Sequence, residues 1–227
     1  LVIEAQSQVE VSASPAIPDA GAPEAWAALE PARLAHEEFD MLSTRSAARS
    51  TPLLRSLMSE RNITRAADPL STFLGLSRLV HEAFDYDVDA TKVDSPIDHA
   101  LALRKGVCQD FSHIVIAMAR ALGIPARYVS GYLHHRKELD ERPLPDATHA
   151  WVEGFIPGLG WIGLDPTNGV PAGERHIRVA VGLDYNDVPP TRGVFKGKPQ
   201  SELAYAVSVH ATGSALKPAE RLRIVKP

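Results

Sequence analysis

The 227-residue chain predicts an α+β fold, with helices first and an antiparallel sheet second. Apolar residues recur at helical spacing up to about residue 122. Gly123 and Pro125 end that pattern, and strand-like runs separated by turn signals follow. With 44% hydrophobic and 23% charged residues, the chain can bury a core without metal or disulfide staples.

Residues 1–11 read as a strand, with Val9 and Val11 alternating with polar neighbours. No hairpin partner lies nearby, so residues 1–12 are expected to be the remnant of an N-terminal β-domain, and residues 13–227 the main unit. Residues 12–23 are Ala- and Pro-rich and read as a linker. Residues 23–42 predict a helix with Trp26, Leu29, Leu34 and Phe39 as apolar positions, and residues 52–60 a short second helix. Asp68-Pro69 is a helix start, Asp as cap and Pro in the first turn, followed by Phe73, Leu76, Val80 and Phe84 at helical spacing. Ser95-Pro96 repeats the start signal for a helix through Leu103, ended by Gly106. A further helix begins near Cys108, carries Phe111, Val115, Met118 and Leu122 on one face, and stops at Gly123. Strands are then expected over 127–133, 149–155, 161–164, 177–183 and 203–209, the second and third forming a hairpin around Pro157-Gly158.

Charge and composition narrow the function classes. The net charge is −4 and no basic run is present, which leaves no electrostatic footprint for a nucleic-acid partner. No apolar stretch is long enough to span a bilayer as a helix, so no membrane partner is expected. The single cysteine rules out an intramolecular disulfide and fits a reducing compartment, so a cytoplasmic location is the expectation. No signal peptide is visible, although the chain opens on Leu1 without an initiator Met and is expected to be N-terminally shortened.

The chemistry centres on Lys105-Gly106-Val107-Cys108-Gln109-Asp110-Phe111. Gly106 lets the chain turn into a helix and puts Cys108 in its first turn. There, free N–H groups and the positive end of the helix dipole favour a thiolate and can hold an oxyanion. A lone cysteine is more often a small buried hydrophobe, so its partners decide the matter. Two downstream segments, Thr148-His149-Ala150-Trp151-Val152-Glu153 and Gly160-Trp161-Ile162-Gly163-Leu164-Asp165, supply them. A hairpin centred on Pro157 sets His149 opposite Asp165, Trp151 opposite Gly163 and Glu153 opposite Trp161. Asp165 would then orient one imidazole nitrogen and aim the other at a thiol. A one-residue slip would put His149 and Asp165 on opposite faces.

These segments, with Gly123-Ile124-Pro125-Ala126-Arg127, Leu164-Asp165-Pro166-Thr167 and the later Asp184-Tyr185-Asn186-Asp187-Val188-Pro189-Pro190, resemble the transglutaminase-like superfamily, in particular its bacterial branch. The resemblance runs from about residue 73 to 197. It implies a papain-like transglutaminase core in which the cysteine helix packs on an antiparallel sheet. It implies Cys108 as nucleophile, His149 as base and Asp165 as orienting carboxylate. The implied chemistry is acyl transfer on amide bonds through a thioester, with a peptide or protein as substrate and without a cofactor or metal. Hydrolysis is the first expectation; protein-glutamine γ-glutamyl transfer and a non-catalytic binding module are the alternatives.

A second oxyanion donor is not evident. No Gln lies in 101–105, where papain-like proteases carry one, and the only Trp before Cys108 is Trp26, whereas classical transglutaminases use an upstream Trp. Tyr86 is the candidate for that donor, and Trp151 the candidate wall of the substrate cleft. His134-His135 lack further ligands at metal spacing. The charged stretch 136–142 reads as an exposed loop that shapes substrate access.

Overall fold

The structure, a computed structural model, describes residues 5–12, 16–44, 46–134 and 148–189, with the isolated positions 207 and 209. The loop expected over 136–142 and most of the strand expected over 203–209 lie outside the described residues. Residues 5–12 are in neither helix nor strand.

The helix expected over 23–42 is three short pieces, α1 (Ala25–Ala28), a 3-10 turn (Pro31–Arg33) and α2 (His36–Asp40). Pro31 pushes Glu30 out of the helical region, to ψ 131, and Leu34 and Ala35 are extended as well. Leu29 still reaches the core, but Phe39 is exposed. The next helices follow their cap signals. In α3 (Pro52–Glu60) the Thr51 hydroxyl accepts the Leu54 N–H at 3.1 Å. In α4 (Pro69–Ala83) the Asp68 carboxylate accepts the Ser71 N–H at 2.8 Å. A two-residue strand, β1 (Asp85–Tyr86), leads to α5 (Ile97–Leu103). That helix ends at Arg104, in the left-handed region at φ 54, rather than at Gly106. Gly106 belongs instead to β2 (Lys105–Gly106), which runs parallel to β1 and pairs with Tyr86.

Helix α6 (Cys108–Ala121) starts directly after Val107. The Asp110 carboxylate reaches back to accept the Val107 N–H at 2.9 Å and also takes the Thr91 hydroxyl at 2.5 Å. A side chain at Gly106 would meet that carboxylate at 2.7 Å, which is why the turn carries glycine. Every residue from Phe111 to Arg120 is buried. A helix buried all round is the centre of a core, and α6 joins α4 and the sheet positions Ala126, Tyr128, Ala150 and Val152 in one apolar cluster.

Among the described residues the sheet has five strands, β3 (Ala126–Leu133), β4 (Thr148–Ile156), β5 (Gly160–Asp165), β6 (Val170–Pro171) and β7 (His176–Gly182). They are arranged in the order β6-β5-β4-β3-β7, and every neighbouring pair is antiparallel. The β4–β5 register differs from the expected one by two residues: Glu153 faces Gly163 and Phe155 faces Trp161. The hairpin is centred on Gly158, not Pro157. Leu159 N–H closes a turn onto Ile156 O at 2.9 Å, with Pro157 second and Gly158 third at φ 83. Pro followed by a glycine of positive φ is the type II signature. A shift of two residues keeps each side chain on its expected face.

Gly131 sits in β3 opposite His149. A β-carbon there would come within 2.1 Å of Ile177 O and 2.7 Å of the Trp151 ring. The carbonyl cannot yield without moving β7. Gly131→Ala is expected to destabilise the fold by about 1–3 kcal/mol, read as a lower urea midpoint. An unchanged midpoint would mean that β7 accommodates the methyl group.

Candidate active site

Pairing across β3 sets the faces. His149, Trp151 and His176 lie opposite Gly131, Val129 and Leu133, which alternate along one strand, so all three project from one face. Asp165 joins them from the end of β5, two residues along from the position expected for it, as the diagonal rather than the direct partner of His149.

The polar centre is the Asp165 carboxylate, which is 0% exposed. Its Oδ1 accepts the N–H groups of Thr167 and Asn168 at 3.0 and 3.1 Å. Its Oδ2 accepts the Asn168 side-chain amide at 2.7 Å, His149 Nε2 at 2.7 Å and His176 Nε2 at 3.1 Å. Five donors meet the two oxygens. Burial by itself would raise the Asp165 pKa. The His149 charge and the bonds from His149 and His176 reverse that and hold it well below the usual carboxylate range.

His149 is buried as well. Its Nδ1 has no hydrogen-bond partner among the described residues, and Cys108 is one of the groups that raise the pKa of the imidazole. Burial would lower its pKa. The Asp165 charge and hydrogen bond, with Cys108 behind them, push it instead from 6.5 up to about 10. Cys108 itself is half-buried at the first position of α6. The N–H groups of Cys108, Gln109 and Asp110 precede the first intrahelical bond, from Phe111 N–H to Val107 O, and so have no carbonyl within the helix.

The remaining candidates fall into different places. Tyr86 pairs through its backbone with Gly106, two residues before Cys108, and its ring meets Phe111 edge-on at 6.4 Å. Trp151 is 1% exposed and so cannot wall an open cleft. It lies beneath the polar group, stacked on His149 at 6.3 Å and edge-on to His176 at 5.2 Å. Gln109 is tied away from the thiol by a 2.8 Å bond to Val93 O.

His176 and Asn168 were not anticipated. The Asx-turn habit of Asp, accepting the N–H two residues on, would have pointed to the 165–168 turn. His149, Asp165 and His176 are also the one cluster of metal-type side chains found among the described residues, their ligand atoms within 4.8 Å of one another. The 2.7 and 3.1 Å separations are those of protons shared between nitrogen and oxygen. A metal there would have to displace both protons. No helix among the described residues is long and apolar enough to cross a membrane.

A buried carboxylate–imidazole pair beside a cysteine at a helix start, on a sheet of this topology, defines a class of protein, and comparison with known proteins agrees with it. Residues 58–166 match the model of the transglutaminase-like superfamily, and that match supports the superfamily for this chain. A crystal structure of a provisionally assigned cysteine protease from Cytophaga hutchinsonii superposes with a TM-score of 0.59 at 28% identity, over 70% of this chain and 52% of that one. An uncharacterized protein of Mycobacterium leprae is 35% identical over 150 residues, 66% of this chain and 53% of its own length. A protein-glutamine gamma-glutamyltransferase of Pseudomonas aeruginosa is 34% identical over 122 residues, 51% of this chain and 18% of its own. The chain thus spans about half the length of the Mycobacterium leprae relative or less of the others.

The pKa shifts carry a stability signature. The raised His149 pKa contributes stability that is complete below 6.5 and is lost as pH rises towards about 10. The lowered Asp165 pKa contributes stability that is present above 3.8 and lost as pH falls below it. Asp165→Asn is therefore expected to cost most stability between about pH 4 and 6.5, with the gap to wild type narrowing by pH 10. Urea unfolding of both proteins at pH 5, 7 and 10 checks this; a gap independent of pH would show that the pair is not charged in the folded state.

Proposed function

We propose that the chain is a cysteine-dependent enzyme of amide bonds, with Cys108 as nucleophile, His149 as acid and base, and Asp165 as the carboxylate that orients His149. One observation supports this reading: a buried 2.7 Å His149–Asp165 pair leaves the His149 Nδ1 without a partner among the described residues, and the chain's one cysteine is among the groups that raise the pKa of that imidazole.

The chemistry follows from where the protons sit. Nε2 keeps its proton on Asp165 throughout, so all traffic passes through Nδ1. The raised His149 pKa favours a proton on the imidazole, and the thiolate is the form of cysteine that attacks. The thiolate attacks the amide carbonyl, and the oxyanion forms near the first N–H groups of α6, with Cys108 N–H as one donor. Collapse of that intermediate breaks the C–N bond; His149 Nδ1 gives its proton to the departing amine. A thioester on Cys108 remains. Water then attacks it, giving its proton to Nδ1, and the carboxylic acid leaves as the thiolate returns.

γ-Glutamyl transfer to an amine is the second reading, favoured by the 34% identity to the Pseudomonas aeruginosa gamma-glutamyltransferase. The two differ only in the acceptor of the thioester. Release of acid from a peptide amide without uptake of an added primary amine supports hydrolysis; covalent incorporation of the amine supports transfer.

Alkylation of Cys108 by iodoacetamide tests the shared core, because no other thiol can react. An unassisted thiol is only about 0.3% thiolate at pH 6. Wild type is expected to alkylate at pH 6 at least about tenfold faster than His149→Ala. Cys108→Ala should abolish turnover of any amide found as substrate. Equal rates in wild type and His149→Ala would end the proposal.

A further inference from the structure

His176 is held from two sides. It opens β7 at the end of a tight turn, where its own N–H donates to Gly173 O at 2.8 Å. The Gly173 N–H donates in return to His176 Nδ1 at 3.1 Å. An imidazole nitrogen that accepts a hydrogen bond carries no proton, so the ring proton resides on Nε2. That proton points to Asp165 Oδ2, 3.1 Å away. The tautomer is thus set by a backbone turn, independently of the carboxylate it serves. Trp151 closes the remaining side, edge-on to the His176 ring.

We propose that His176 is a positioning residue for the Cys108–His149 reaction, fixing the Asp165 carboxylate so that Oδ2 meets His149 Nε2 in a single orientation. The inference rests on the cysteine-dependent reading above. The other donors do not supply this constraint. The Thr167 and Asn168 N–H groups hold Oδ1, and the Asn168 amide reaches Oδ2 from the same 165–168 turn. They therefore move with Asp165. Among the described residues, His176 is the one donor besides His149 that comes from another strand of the sheet. It ties the carboxylate to β7 on the side away from its own turn. Without that tie, Oδ2 can swing within its turn, and the imidazole it orients swings too. A small misplacement of an oriented base has large effects on rate.

The test uses the full chain and iodoacetamide as probe of the single thiol, with His176→Phe, His176→Gln and His149→Ala beside wild type over pH 5–10. The titratable groups facing His149 are Cys108 from α6, Asp165 from β5 and His176 from β7. Phe keeps a ring against Trp151 but has no donor; Gln has a donor at nearly the position of Nε2. His176→Phe is expected to slow alkylation at pH 6 roughly tenfold and to move the acidic limb of the profile up, with His176→Gln recovering most of the loss. A wild-type profile in His176→Phe, while His149→Ala is slow, overturns the inference and leaves the enzyme reading intact. Equal losses in Phe and Gln also overturn it, since they would assign the effect to packing. No difference between wild type and His149→Ala sinks both readings together. Nitrogen-15 NMR of the labelled wild-type histidines is the check that needs no variant: His176 must show the Nε2–H tautomer at pH 7, and the opposite tautomer removes the proposal.

Discussion

A carboxylate withdrawn wholly from water is the constraint on which this half of the molecule is built. An uncompensated buried charge costs several kcal/mol, and only well-aligned donors offset it. Asp165 draws its five from three parts of the chain: the turn that follows it, β4 and β7. The turn is shaped for the purpose. Asp165 O accepts the Gly169 N–H at 2.9 Å, Gly169 takes φ 69, and the 167–168 amides point inward at the carboxylate. The other donors exist only if β4 and β7 flank β3 in one register. Any slip in the sheet would therefore strand the charge, and the polar centre acts as a check on strand pairing as well as on chemistry.

Cys108 is held by a different principle. Helix α6 has a side chain buried at every position of its middle, so it can neither rotate nor slide without opening the core. Its start is tied by Asp110 to Val107 and Thr91, and its end by Arg120. That guanidinium donates to the carbonyls of Met41, Ser43, Ala126 and Leu183 and to the Ser46 hydroxyl. Burial lowers its pKa from 12.5 to about 10, with Asp184 and Asp187 acting against the shift. Carbonyl dipoles thus receive the charge, and one side chain pins the 41–46 segment, β3 and the end of β7 to the helix that carries Cys108. The result is a Cys108 held as rigidly as the helix that carries it.

Much of this was legible in the sequence, for identifiable reasons. Caps speak locally: Asp68-Pro69 and the glycine before Cys108 start helices where they stand in the fold. The His149–Asp165 relationship survived an error of two residues in the hairpin because parity, not register, decides which face a side chain takes. The errors have local causes as well. Pro157 drew the turn centre towards itself, although the residue with positive φ is Gly158. Pro31 divides a segment whose apolar spacing is otherwise helical. Trp151 reads equally well as cleft wall or core, and only the closeness of β7 over Gly131 shows that it is floor.

His176 was beyond such reasoning because its face is set by a bulge. In the β3–β7 ladder Ser130 pairs with Ala180 but Gly131 pairs with Arg178, leaving Val179 as an extra residue. Bulges re-aim side chains beside functional sites. Without this one, Leu133 would face Ile177, and His176 would project from the other side of the sheet, away from Asp165. Nothing in the period-two pattern of residues 176–182 announces the insertion, and exposed Val179 looks like an ordinary strand residue. The insertion nevertheless decides whether the buried carboxylate receives its fifth donor. The same carboxylate accepts the bond from His149 Nε2 at 2.7 Å. An irregularity one residue long thereby bears on how the carboxylate that holds His149 is itself held.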